Sequence, residues 1–144
     1  MTMTIPDIKI EKGLRFSIQK RVEEEDASLN YGSGMLETVL ATPSLVALMI
    51  EGAVEEIDKK LPEGFITVGS RITVDHMNAS VLGATVTIEG TVQEYDGRKV
   101  TLKYVAFDEV GIIGNGYHER MIVNKDAMMV KAHQRSELIK NKNY

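Results

Sequence analysis

Apolar and polar positions divide this chain into one helical stretch and five extended ones. The helical stretch is Ala41 to Gly64, ATPSLVALMIEGAVEEIDKKLPEG. Its first three turns are apolar nearly all round: Leu45, Val46, Ala47, Leu48, Met49, Ile50, Gly52, Ala53 and Val54, with Glu51 the only charge. A helix without a polar face is buried against its neighbours. Thr42 suits an N-cap and Pro43 the first helical position, where no N–H is needed. Lys59 and Lys60 complement the dipole at the far end, and Pro62 stops the run.

The other stretches alternate with period two, the mark of half-buried strands. Leu14, Phe16, Ile18 and Val22 share one parity before the helix. After Pro62 come Ile66, Val68, Ile72 and Val74 on one parity, then Ala84, Val86, Ile88 and Val92. Asp96-Gly97 signals a hairpin. The returning strand runs from Arg98 to Phe107, and the last from Ile112 to Val123, interrupted by Gly114 and Gly116. Glycines inside a strand mark a bulge or a close approach of another backbone. The acidic run Glu23–Asp26 reads as a solvated loop. Tyr31-Gly-Ser-Gly34, with Met35 and Leu36, reads as a mobile cover over a pocket or as an amphipathic turn packed on the core. Asp126 is placed to cap a short C-terminal helix, with a frayed tail beyond.

Strand, helix and four strands make an α+β layout, a sheet wrapped around one helix. One domain fills residues 1–144: an N-terminal arm over 1–13, a core over about 14–125 and a tail from 126. The helix carries more apolar surface than one sheet face covers, which calls for a homodimer or a dimer of dimers.

Composition narrows the chemistry. The chain has 144 residues and no cysteine, so thiolate metal sites and a Cys nucleophile are excluded. A net charge of −4 gives no electrostatic footprint for nucleic acid. No apolar run is long enough for a membrane span, and the N-terminus lacks a signal-peptide layout, so a cytoplasmic location is expected. His76, His118 and His133 show no close metal-ligand spacing, and no metal or other cofactor is expected.

Three polar residues stand where apolar ones are expected. Thr42 opens the helix, Glu51 interrupts it, and His76 ends the second strand on the inward parity of Ile72 and Val74. Each has a plain explanation: a cap, a solvent gap shared with Glu55, a hydrogen-bonded histidine. Together, a hydroxyl, a carboxylate and an imidazole can activate water.

Ala41-Thr42-Pro43 with Leu45–Met49, Leu61-Pro-Glu-Gly64, Thr67-Val-Gly69, Val74-Asp-His76, Val81-Leu-Gly83, Ala106-Phe-Asp108 and Gly116-Tyr-His-Glu-Arg120 resemble the hotdog-fold thioesterases of the fluoroacetyl-CoA thioesterase group. The resemblance spans about residues 14–125. It implies a hotdog fold, a dimer and hydrolysis of a short acyl-CoA thioester. It also implies catalytic roles for Thr42, a helix glutamate and His76, with Gly69 near the thioester and Arg120 on CoA. The family acid directly follows the Leu-Met pair, where this chain has Ile50; the carboxylate comes one step later, at Glu51. One step turns a side chain by about 100°, so a π-bulge would be needed to bring Glu51 round. The family's aromatic lid is also not evident, and selectivity for a fluorinated acyl group is not carried over. The alternatives are a non-catalytic hotdog module that binds acyl-CoA or another apolar ligand, and a small α+β isomerase or dehydratase.

Overall fold

The computed structural model describes residues 8–35 and 38–142. Leu36, and residues 1–7 of the expected arm, lie outside them. Five strands form one antiparallel sheet: β1 (Arg15–Arg21), β2 (Phe65–His76), β3 (Thr85–Tyr95), β4 (Lys99–Phe107) and β5 (Ile112–Asn124). Their spatial order is β1-β3-β4-β5-β2, which leaves β1 and β2 at the edges. Helix α1 (Thr42–Ala53) lies on one face and continues into a π-helical turn, Val54–Asp58.

The core forms where α1 meets the sheet. Leu45, Met49, Ala53 and Ile57 are fully buried against Ile88, Val100, Leu102, Tyr104 and Ile113. Close approach depends on the glycines flagged in the last strand. A Cβ on Gly114 would sit 2.5 Å from the Asp75 carbonyl oxygen, and one on Gly116 would sit 2.9 Å from that of Thr73 and 3.3 Å from Met49 Sδ.

Strand β2 departs from its expected alternation. Its register against β5 shifts between Gly69 and Arg71. One extra residue reverses which parity faces inward. Before the bulge Thr67 and Gly69 pair with the buried Ile122 and Arg120; after it Ile72, Val74 and His76 pair with the buried His118, Gly116 and Gly114. Thr67 is therefore buried, while Ile66 and Val68 are half-buried on the other parity.

Three local expectations are also corrected. Ala41, in extended conformation, occupies the cap position of α1; Thr42 is already helical and makes no cap bond, because its hydroxyl is engaged elsewhere. The acidic run is not wholly solvated. Asp26 is buried, accepts the Glu23 N–H and pairs with Lys20 at 3.0 Å, and its carbonyl receives the Ala41 N–H at the entrance to α1. The C-terminal helix α2 (Lys125–Lys140) has 16 residues and is capped by Asn124, whose side chain accepts the Ala127 N–H. Asp126 sits instead in its first turn, where a carboxylate complements the dipole. Among the described residues no helix is long and apolar enough to cross a membrane.

Candidate active site

The entrance to α1 and the end of β2 meet at one point. Thr42 Oγ1 and His76 Nδ1 lie 2.7 Å apart. The bulge makes this possible, since without it His76 would point to the other face of the sheet. The other ring nitrogen, Nε2, is buried and has no hydrogen-bond partner among the described residues. Burial lowers the His76 pKa below its ordinary 6.5, opposed by the Asn78 backbone. The imidazole is accordingly neutral at pH 7, the state in which it can take a proton.

Glu51 is not brought to this pair. The helix is regular from Thr42 to Ala53, and nine steps of about 100° carry Glu51 to the opposite side from Thr42. Glu51 is exposed, as is Ala47 one turn before it; Ile50 is half-buried. A π-turn is present, but it begins at Val54, beyond Glu51, and cannot change its phase.

Gly69 and Arg120 form a second locus, under the other end of α1. Arg120 is buried; its Nε donates to Thr67 Oγ1 and its Nη2 to the Thr67 carbonyl, both at 2.8 Å. Its Nη1 lies 3.4 Å from His118 Nε2, and a Cβ on Gly69 would be 3.4 Å from both atoms. His118 Nδ1 is 2.7 Å from the Tyr104 hydroxyl. Burial, and secondarily the neighbouring Arg120 charge, push the His118 pKa down to about 4, so it stays neutral and can accept from the guanidinium. The two loci lie far apart within one chain. Gly69 and His76 are seven residues apart on β2, about 23 Å at roughly 3.3 Å per residue.

Sequence reasoning did not find Thr67, Tyr104, His118 or Asp58, which completes this second cluster. Gly69-Ser70, a glycine and a polar residue inside an apolar strand, was the available signal for the bulge.

The family model for fluoroacetyl-CoA-specific thioesterases matches residues 22–126. The chain belongs to this family. It is 32% identical to the fluoroacetyl-CoA thioesterase of Streptantibioticus cattleyicolor over 98 residues, 68% of this chain and 70% of that protein. A solved structure of a fluoroacetyl-CoA thioesterase superposes with a TM-score of 0.81 at 27% identity, covering 87% of this chain and 96% of that one. A variant of that relative has been crystallised with fluoroacetate and CoA. A hot-dog-like protein from Thermanaerovibrio acidaminovorans gives a TM-score of 0.81 at 34% identity, over 86% and 91% of the two chains. The fold is the hotdog fold, and the thioesterase family places the chain among hydrolases of acyl-CoA thioesters.

Proposed function

We propose that this thioesterase hydrolyses a small acyl-CoA at sites shared between two copies of the chain, with His76 as general base and Thr42 as its hydroxyl partner. The observation that carries this reading is the 2.7 Å contact between Thr42 Oγ1 and His76 Nδ1, with Nε2 buried and unpartnered. Neutral His76 takes the proton of an attacking O–H as its oxygen adds to the thioester carbon. The carbonyl oxygen becomes an oxyanion, the C–S bond breaks, and His76 returns the proton to the departing CoA sulfur. Thr42 is either the attacking hydroxyl or the group that orients a water. In the first route water then cleaves the acyl-Thr42 ester and frees the acid, so an acyl-Thr42 adduct trapped by mass spectrometry marks that route; in the second, water yields the acid directly and Thr42 is never acylated.

The substrate reaches Gly69 and Arg120 only across a pair of copies. Strand β2 has 12 residues and, among the described residues, one edge without a paired strand, and a long free edge is a template for another strand. Two β2 strands paired antiparallel about a two-fold axis near Ile72 and Thr73 would place Gly69 of one beside His76 of the other. The Gly69 N–H then supplies a donor for the acyl carbonyl or oxyanion. Burial of Arg120 favours contact with the acyl or pantetheine end over a phosphate. Glu51 has no part in this reading.

The test is a panel of short acyl-CoAs with a thiol reagent. Free CoA released by wild type, and lost in His76→Ala, is the expected result. No free CoA from any thioester overturns the reading.

A further inference from the structure

The π-turn after α1 has a consequence for the second locus. Continued as a regular helix, Asp58 would follow Glu51 by seven steps of about 100°, which returns it to within about 20° of the Glu51 face, in solvent. The i→i+5 turn is wider, so each residue rotates less. Ile57 is thereby fully buried and Asp58 half-buried beneath the sheet. The Asp58 Oδ1 receives the Thr67 hydroxyl at 2.6 Å and the Thr67 N–H at 3.2 Å.

This bond sets the polarity of the cluster. A threonine hydroxyl has one proton and two lone pairs. With the proton committed to Asp58, the lone pairs of Thr67 Oγ1 face Arg120 Nε, which donates to it at 2.8 Å. Asp58 also brings a carboxylate near a buried guanidinium that has no direct ion pair among the described residues. Bonds to Thr67 and His118 use three of the guanidinium's five N–H groups and leave two unspent, one of them on the Nη1 behind Gly69.

We propose that Asp58, delivered by the π-turn, is a positioning residue of the substrate site: through Thr67 it holds the Arg120 guanidinium behind Gly69. This rests on the reading that Arg120 and Gly69 face the substrate. Asp58 touches no substrate atom; it fixes the direction of a hydroxyl, and the hydroxyl fixes the arginine.

The test measures the Kd of a non-hydrolysable ketone analogue of acetyl-CoA for the full chain by calorimetry, with circular dichroism as the check on folding. Asp58→Ala is expected to weaken binding about tenfold, the scale of one lost charge-assisted hydrogen bond. Thr67→Val, which keeps the shape and removes the hydroxyl, should do the same, and Thr67→Ser should restore it. Asp58→Asn, which keeps an acceptor oxygen without the charge, should fall between and guards against a misfolded Ala variant. Asp58→Ala combined with Arg120→Ala should be no weaker than Arg120→Ala alone, since the first acts only through the second. Additive losses, or unchanged Kd in folded Asp58→Asn and Thr67→Val while Arg120→Ala weakens binding, overturn the proposal and leave the substrate reading standing. If Arg120→Ala itself leaves Kd unchanged, the substrate reading of Arg120 fails, and the role of Asp58 fails with it.

Discussion

His76 and His118 are both neutral near pH 7 because burial penalises the charged ring, yet the consequences differ. His76 faces a hydroxyl, so its titration should appear in catalysis. The acid limb of kcat/KM is expected below 6.5, because turnover needs the unprotonated ring, and His76→Ala should lower kcat by about 10²–10⁴-fold. An acid limb centred above 6.5, or His76→Ala retaining wild-type kcat, would remove the general base from the reading. His118 is enclosed by Tyr104 and Arg120, so its titration should appear in stability. Its folded pKa of about 4 lies below the unfolded 6.5, so between those values the unfolded chain binds the extra proton. Stability should therefore fall as pH drops from about 6.5 toward about 4, by up to roughly 3 kcal/mol from this group. Urea titrations at stepped pH, comparing wild type with His118→Gln, check this.

At the scale of elements, the π-turn that follows α1 and the bulge in β2 are the irregularities whose positions matter. The helix is regular across Glu51, so its phase leaves that carboxylate in solvent and sets Ile50, half-buried, about 80° round from Thr42. Glu51→Gln should leave turnover within about twofold of wild type, as expected of an exposed residue with no side-chain hydrogen bond or ion pair among the described residues. Ile50→Glu should raise it, by returning a carboxylate to the position where the family carries its acid. The reverse pattern in steady-state kinetics would mean that the helix rewinds when substrate binds. The β2 bulge is the other irregularity. Beyond it, the close pairing of β2 with β5 beside His76 depends on Gly114, whose absent Cβ lets the Asp75 carbonyl approach. Gly114→Ala should therefore destabilise the fold by about 1–3 kcal/mol through overpacking, read as a lowered Tm, and should disturb the neighbouring His76.

For the whole molecule, the decisive quantity is the separation of the two loci. The length of α1 and its π-turn, 12 and 5 residues, gives about 25 Å at 1.5 Å per residue, in agreement with the distance along β2. Thr42 and His76 sit at one end, Asp58, Thr67, Arg120 and Gly69 at the other. A site assembled from two copies makes a specific prediction. His76→Ala and Arg120→Ala proteins, each nearly inactive, should regain activity when co-refolded in equal amounts. Random pairing makes half the dimers mixed, and each mixed dimer holds one intact site of two, so about a quarter of wild-type activity should return. No recovery in proteins that light scattering shows to be mixed dimers would place each site within one chain.

Much of this was legible in the chain itself. Period-two alternation located the first four strands, because a half-buried pleated surface demands it, the turn before Ile112 bounded the last, and Asp96-Gly97 marked a hairpin that the structure contains. The apolar run from Leu45 located the central helix, and the inward parity of Ile72, Val74 and His76 put the imidazole on the helix side, where Thr42 meets it. These are local properties, written in neighbouring residues. The rest depended on contacts between distant ones. Thr42 taken alone reads more readily as a plain cap, and only the arrival of His76, 34 residues away, decides where its hydroxyl goes. The bulge in β2 is fixed by pairing with β5; Gly69-Ser70 hints at an interruption, but only the register against β5 decides that Thr67 is buried and Ile66 is not. The π-turn likewise falls where Ile57 can be buried and Asp58 can reach Thr67, a choice made by packing rather than by helix propensity.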